Sequence, residues 1–129
     1  MIYLDTSVVL AELFAEDKQV AESLWYEPLI SSRLLEYELY NRINARKLSN
    51  SYSEAVRNIL GRVSLVELSP VVLQRAIELF PVTIRTLDAL HLATACYLRD
   101  HHQKITLATF DERMRNASTA LGIELFCDS

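Results

Sequence analysis

The chain has 129 residues, half of them hydrophobic, and a formal net charge of −4 at pH 7. This length and composition predict one folded domain, residues 1–129, with its own core, and exclude a disordered chain. No apolar run is long enough to span a bilayer, no signal peptide is recognisable, and two glycines leave no glycine-rich phosphate loop. We therefore expect a cytoplasmic protein in which Cys96 and Cys127 are reduced thiols.

The first seven residues, M-I-Y-L-D-T-S, predict a strand that passes directly into a helix. Residues 2–4 are β-formers, Asp5 ends the run, and apolar residues follow at helical spacing from Val8 to Glu16. This order is typical of a central strand in a parallel sheet, whose carboxyl end is where ligands bind. Asp5 is therefore expected at the functional edge, although capping of the helix by Asp5 or Ser7 explains the same residues.

Strands alternate with helices along the rest of the chain, and no hairpin signal interrupts them. The expected strands are residues 29–31, 65–68, 104–110 and 123–126. One expected helix is capped by Asp17 and runs to about Tyr26, and the next covers residues 34–48. A third has a capping box at Ser51–Glu54 and ends near Gly61, and a fourth is opened by Ser69 and Pro70 and ends before Pro81. The last two begin at Thr86 and at Asp111, and Gly122 closes the second of these. This order predicts an α/β domain with a largely parallel sheet of four to five strands and helices on both faces.

Four acidic residues are candidates for a site at one edge of this sheet. Asp5 and Asp111 each follow a strand and open a helix, so a parallel sheet brings them to the same carboxyl edge. Asp88 lies in the first turn of the most apolar helix, and Glu38 lies mid-helix beside an apolar stripe. Each also has a structural explanation: Asp111 as an N-cap, Asp88 as an acid favoured by the helix dipole, and Glu38 as an i, i+4 partner of Arg42.

Acids gathered from separate segments repel one another unless hard divalent cations bind them, and their oxygen atoms suit Mg²⁺ or Mn²⁺. With four acids assigned to metal ions, the remaining acids and the bases are equal in number. Ten of the thirteen basic residues are arginine, which forms forked contacts with phosphate. The acidic total is therefore compatible with a phosphodiester substrate, because bound cations would supply positive charge.

Four sequence blocks resemble the signature blocks of PIN-domain ribonucleases in their order and spacing. They are L-D-T-S at residues 4–7, S-S-R-L-L-E-Y-E-L at 31–39, T-L-D-A-L-H-L-A-T-A at 86–95 and T-F-D-E-R-M at 109–114. The chain also resembles in size the toxin subunit of VapBC-type toxin–antitoxin pairs. Matched residue by residue, the resemblance implies catalytic, metal-binding acids with two supporting hydroxyls: Asp5, Glu38, Asp88 and Asp111, with Ser7 and Thr109.

The resemblance further implies a Mg²⁺- or Mn²⁺-dependent endoribonuclease that acts as a toxin and cleaves RNA by metal-activated water. It implies a homodimer, a VapB-type antitoxin whose tail places a basic side chain in the acidic site, DNA binding only through that antitoxin, and no membrane contact. Two other classes stay open: a metal-dependent phosphohydrolase on a doubly wound sheet, and a non-catalytic RNA- or protein-binding module. Ser7 counts against the first, which usually has Asp there, and the complete acid set counts against the second.

Several neighbouring residues are weaker candidates. Arg85 and Arg42 are expected either to contact substrate phosphate or to be solvated, and His91 either contacts substrate or makes a structural hydrogen bond. The second block contains two acids, Glu36 and Glu38, whose side chains point about 200° apart on a helix, so only one can face the other acids. The glutamate–leucine placement in the resemblance selects Glu38.

Overall fold

A sheet of parallel strands forms the centre of the computed structural model, which describes residues 1–15 and 19–126. The strands of this sheet are β1 (Ile2–Leu4), β2 (Leu29–Ser32), β3 (Val63–Val66), β4 (Thr106–Ala108) and β5 (Glu124–Leu125). The helices are α1 (Thr6–Phe14), α2 (Leu34–Ala45), α3 (Ser49–Leu60), α4 (Pro70–Ala76), α5 (Thr86–Asp100) and α6 (Glu112–Ala120), with a short 3₁₀ helix, Glu22–Tyr26, before β2. Three predicted features, the helix end at Glu16, the cap at Asp17 and the thiol of Cys127, lie outside the described residues.

Strand β1 lies at the centre of the sheet, in the order β3-β2-β1-β4-β5. The chain first builds outward from β1 to β3 and then returns to the other side of β1 with β4 and β5. The order therefore reverses between β1 and β4, and open α/β sheets bind ligands in the crevice beyond the carboxyl ends of two such strands. Asp5 directly follows β1 and Thr109 directly follows β4, so both lie at this crevice.

Alternate residues of β1 pack into two separate cores. Ile2 and Leu4 join the core that α1, α2 and α3 cover, whereas Tyr3 joins the core that α5 and α6 cover. This is the period-two alternation of a strand buried on both sides. Every strand pairing in the sheet is parallel. The predicted α/β fold, with a parallel sheet and helices on both faces, is confirmed.

Two predicted boundaries around α2 and α3 are wrong. The first of these helices ends three residues early because Lys47 adopts the left-handed conformation, with φ 57°. The N–H of Leu48 then donates back to the Ile43 carbonyl, which closes the helix as a Schellman-type turn. The next helix begins at Ser49, so Ser51 lies inside its first turn and does not cap it.

Other boundaries follow the prediction more closely. Ser69 caps α4, accepting from the N–H of Val72, and Pro70 occupies the first helical position. Gly122 ends α6 in the left-handed region, with φ 76°. Strand β3 begins two residues earlier than predicted, in register with β2. Cys96 is a buried free thiol, and none of the helices in the described ranges is long and apolar enough to cross a membrane.

Candidate active site

The carboxylate of Asp5 is held by two hydroxyl groups from separate segments. Ser7 Oγ donates to Asp5 Oδ2 at 2.6 Å, and Thr109 Oγ1 donates to the same oxygen at 2.7 Å. Asp5 occupies the N-cap position of α1, but its side chain makes no capping hydrogen bond. The capping explanation of Asp5 is therefore wrong, and the two hydroxyls set the orientation of its carboxylate.

Backbone groups at the end of β4 hold both hydroxyls in turn. The N–H of Phe110 donates to Ser7 Oγ at 3.0 Å, and the N–H of Asp111 donates to Thr109 Oγ1 at 3.0 Å. Because each hydroxyl oxygen accepts a backbone proton, its own proton is directed to Asp5. The Asp5 side chain, in a residue that is 4% exposed, thus keeps a defined position through contacts within the protein.

One oxygen of Asp88, in the first turn of α5, accepts no hydrogen bond from the described residues. This atom, Oδ2, is buried. Burial raises the pKa of Asp88 above its ordinary value of 3.8, the charges of Asp111 and Asp5 raise it further, and those of Arg85 and His91 lower it. The direction of this pKa shift means that the site lacks positive charge for an ionised Asp88, and that Asp5, Asp88 and Asp111 share one electrostatic environment.

Arg85 supplies part of the missing positive charge. Its side chain is 70% exposed, with Nε 3.9 Å from Asp88 Oδ2 and Nη2 3.7 Å from Asp111 Oδ2. Ion pairs of this length on an exposed arginine contribute little. The predicted capping by Asp111 is confirmed, since its Oδ1 accepts from the N–H groups of Arg113 and Met114 at the start of α6, while Oδ2 faces the guanidinium.

Glu38 reaches the site from α2 and contacts residues of two other helices. Thr6 Oγ1 donates to Glu38 Oε1 at 2.8 Å, and His91 Nε2 lies 2.7 Å from the same oxygen. The described residues contain no ion pair between Glu38 and Arg42, so the helix-surface explanation of Glu38 is wrong. Arg42 itself is exposed, and its contact with substrate stays a prediction.

The two glutamates of the second block have different surroundings. The side chain of Glu36 is 42% exposed and pairs with Arg33 at 3.7 Å, whereas that of Glu38 is 18% exposed and bonds to the residue next to Asp5. This separation is the one expected from their rotation about the helix axis. Only Glu38 lies at the crevice with the other acids.

His91 is enclosed by protein on all sides. The residue is 1% exposed, and its second ring nitrogen, Nδ1, lies 2.8 Å from the hydroxyl of Tyr3. His91 therefore makes structural hydrogen bonds, and the alternative that it contacts substrate is wrong, because both ring nitrogens face protein partners. Sequence reasoning assigned no role to Thr6, although it lies within the L-D-T-S block, and did not place the Tyr3 hydroxyl beside His91.

The candidate carboxylates share a feature that suits a cation. Asp5 Oδ1 and Glu38 Oε2 make no hydrogen bond within the described residues, and Asp88 Oδ2 and Asp111 Oδ2 face only Arg85. Hard cations such as Mg²⁺ and Mn²⁺ prefer donors of this kind. Across 1–15 and 19–126, no three Asp, Glu, His or Cys side chains form a ready-made metal site. The donor chemistry of these carboxylates fits such an ion.

Comparison with known proteins confirms the resemblance. The PIN domain family model matches residues 2–119, which include all the candidate acids. Ribonuclease VapC46 of Mycobacterium tuberculosis (strain ATCC 25618 / H37Rv) is 33% identical over 99% of this chain and 98% of its own length. Ribonuclease VapC35 (strain CDC 1551 / Oshkosh) is 32% identical over 95% of this chain and 93% of its own, and Ribonuclease VapC47 of the same strain is 29% identical over the same shares. No solved structure matches the chain significantly. The chain therefore belongs to the PIN-domain family, as a VapC-type member.

Proposed function

We propose that this protein is a Mg²⁺- or Mn²⁺-dependent endoribonuclease that acts as the toxin of a toxin–antitoxin pair. The observation that carries the proposal is the set of four carboxylates at the β1–β4 crevice, each with an oxygen that accepts no hydrogen bond from the described residues. Near full-length similarity to proteins named VapC ribonucleases supports RNA as the substrate. Membership of the PIN-domain family favours this function over a phosphohydrolase of another family or a binding module.

A bound Mg²⁺ or Mn²⁺ would supply the positive charge and Lewis acidity that phosphodiester hydrolysis requires. The residues that would hold it are Asp5, Glu38, Asp88 and Asp111. Ser7 and Thr109 hold Asp5 in position before any cation binds, so this carboxylate needs little rearrangement. Arg85 is 70% exposed at the rim of the site, where a guanidinium can contact a phosphate of the bound RNA.

An antitoxin that inserts a basic side chain would fit the same charges. Within this chain the guanidinium of Arg85 already lies between Asp88 and Asp111, at 3.9 and 3.7 Å. A partner's arginine or lysine that took this place would neutralise the acids and exclude a cation. Binding of DNA would then belong to the antitoxin, since this chain carries a net charge of −4.

A homodimer is the assembly that we propose for this chain. Large exposed apolar side chains concentrate in and just after α4, including Val71 (62% exposed), Ile77 (78%) and Leu79 (94%). Exposed apolar groups of this kind mark association surfaces. Light scattering on the purified protein should give twice the chain mass of 14.8 kDa, and a monomer at all concentrations would contradict the homodimer.

Expression of the chain without an antitoxin, followed by mapping of RNA 5′ ends, tests the proposed activity. The wild type should generate new 5′ ends that the Asp5→Asn variant does not generate. Asp100→Asn is the control, because Asp100 is an exposed carboxylate at the far end of α5 from Asp88. Failure of the folded wild type to generate new ends, or identical ends from Asp5→Asn, would contradict the proposal.

A further inference from the structure

Three buried polar residues join Glu38 to the centre of the sheet. The Tyr3 hydroxyl lies 2.8 Å from His91 Nδ1, and His91 Nε2 lies 2.7 Å from Glu38 Oε1. Thr6 Oγ1 donates to the same carboxylate oxygen at 2.8 Å. Tyr3, Thr6 and His91 are 0%, 5% and 1% exposed, and the four residues come from β1, α1, α5 and α2. This group connects both faces of the sheet to one carboxylate.

The chemistry of these groups sets the direction of the hydrogen bonds. An ionised carboxylate only accepts, so the nitrogen 2.7 Å from Glu38 must donate, and the proton of His91 lies on Nε2. The other nitrogen, Nδ1, is bonded to the Tyr3 hydroxyl, a group that can donate or accept, so both ring nitrogens are held by side chains.

Both bonds to Glu38 end on one oxygen. Thr6 and His91 meet at Oε1, and Oε2 makes no hydrogen bond within the described residues. We propose that Tyr3 and His91 are positioning residues, which fix the rotation of the Glu38 carboxylate and so present Oε2 to the cation. The inference rests on the proposed function, because it takes Glu38 as a metal ligand.

A purely structural histidine would not require this arrangement. A neutral acceptor, such as a backbone carbonyl, would satisfy Nε2 and would leave no charge to be desolvated. The partner of His91 is instead a carboxylate whose side chain is 18% exposed at the candidate site. Hydrogen bonds that orient a ligand from behind typically change metal affinity by about 10- to 100-fold when they are removed.

Binding of Mn²⁺ alone, measured by the electron paramagnetic resonance signal of the free ion, tests the inference without recourse to catalysis. His91→Phe removes both ring nitrogens, and Tyr3→Phe removes only the hydroxyl. Each should weaken Mn²⁺ binding by about tenfold. His91→Gln, whose amide N–H can replace Nε2–H, should bind within about threefold of the wild type. Tyr97→Phe, a half-buried control in α5, should bind as the wild type does.

Glu38→Gln distinguishes failure of this inference from failure of the site assignment. If Glu38→Gln weakens Mn²⁺ binding and His91→Phe does not, Glu38 is a ligand and the positioning inference alone is overturned. If Glu38→Gln binds Mn²⁺ as the wild type does, Glu38 is not a ligand, and both the assignment and the inference are overturned. A folded His91→Gln variant that binds no better than His91→Phe also overturns positioning, since Gln keeps a donor for Glu38 that Phe lacks.

If His91→Phe does not fold, two further measurements test whether Tyr3 and His91 position Glu38. Tyr3→Phe keeps the aromatic ring in its core and should fold, so its Mn²⁺ affinity can be compared with that of Tyr97→Phe. Nitrogen-15 resonances of His91 in the wild-type protein should show a proton on Nε2, the nitrogen that donates to Glu38. Equal affinity of the two tyrosine variants, or a proton on Nδ1 alone, would overturn the inference.

Discussion

Asp5, which follows β1, and Asp88, in the first turn of α5, differ in what surrounds them. Asp5 accepts from two hydroxyls, which backbone N–H groups hold in turn. Asp88 has a buried oxygen that accepts no hydrogen bond from the described residues, and its pKa is raised by burial and by the neighbouring acids. One oxygen of Asp5 is therefore held by the protein, whereas the charge of Asp88 is compensated only weakly, by Arg85.

The two carboxylates would contribute differently to binding of the proposed cation. Asp5 is already held in position, so it would lose little freedom when an ion binds and could set the position of the ion. Asp88 is weakly compensated in the metal-free protein, so it would gain most from an ion and would supply affinity. Substitutions that remove the charge at each position should therefore have similar effects on activity and opposite effects on stability.

The largest expected effect is on RNA cleavage by Asp5→Asn. Loss of a direct ligand should reduce the cleavage rate by more than about a hundredfold, beyond the usual cost of removing a supporting group. The metal-free variant should also lose about 1 kcal/mol of stability, because the hydroxyls of Ser7 and Thr109 then donate to an uncharged acceptor. Single-turnover cleavage and thermal melting measure both quantities, and a stable variant that cleaves at the wild-type rate would show that Asp5 is structural.

Asp88→Asn should reduce cleavage by a similar factor and change stability in the other direction. The amide keeps the shape of the side chain and removes a partly buried charge that Arg85 compensates only weakly. In EDTA the variant should therefore melt a few degrees above the wild type. A lower melting temperature than that of Asp5→Asn would remove the proposed difference between the two carboxylates.

The difference in melting temperature between Asp88→Asn and the wild type should depend on pH. The pKa of Asp88 in the folded protein is raised above its ordinary value of 3.8, so as the pH increases Asp88 ionises first in the unfolded chain. The free energy of unfolding of the wild type therefore falls until the pH has passed the raised pKa. The gap in EDTA should thus be small near pH 4 and reach its full size by neutral pH. A gap of constant size across this range would mean that Asp88 does not cause it.

The smallest expected effect is that of Glu36→Gln. Its side chain is 42% exposed and, among the described residues, pairs only with Arg33, so cleavage and Mn²⁺ affinity should change by less than about twofold. Glu38→Gln, two residues away on the same helix, serves as the paired variant and should lose both. The reverse pattern in a metal titration would show that Glu36, and not Glu38, belongs to the site.

The sequence predicted the fold well where hydrophobic period and helix caps agreed. Ser69 with Pro70, Asp111 and Gly122 mark helix ends through local chemistry that a single sequence reveals. The end of α2 could not be predicted in the same way, because it depends on Lys47 in a left-handed conformation that lysine rarely adopts. The boundaries of β3 depend on its register with β2, and this pairing forms only in the tertiary structure.

The candidate acids were visible in the sequence, but the groups that hold them were only partly so. Ser7 and Thr109 lie in the same sequence blocks as Asp5 and Asp111, so the resemblance implies these hydroxyls together with the acids. The contact between Tyr3 and His91 joins residues 88 positions apart, and it could be found only once β1 and α5 were packed together. Arg85 was expected to contact phosphate or to be solvated, and its position between two acids also needed the structure.

Cleavage of RNA by the wild-type protein in EDTA, before and after addition of Mn²⁺, tests whether the four acids act through a divalent cation. We expect no cleavage while the chelator is in excess and recovery when Mn²⁺ exceeds it, because the carboxylates alone offer the phosphodiester only negative charge. Asp88→Asn, measured in parallel, should remain inactive under both conditions. Cleavage by the wild type that continues at the same rate in EDTA would contradict the proposal that these four acids act through a divalent cation.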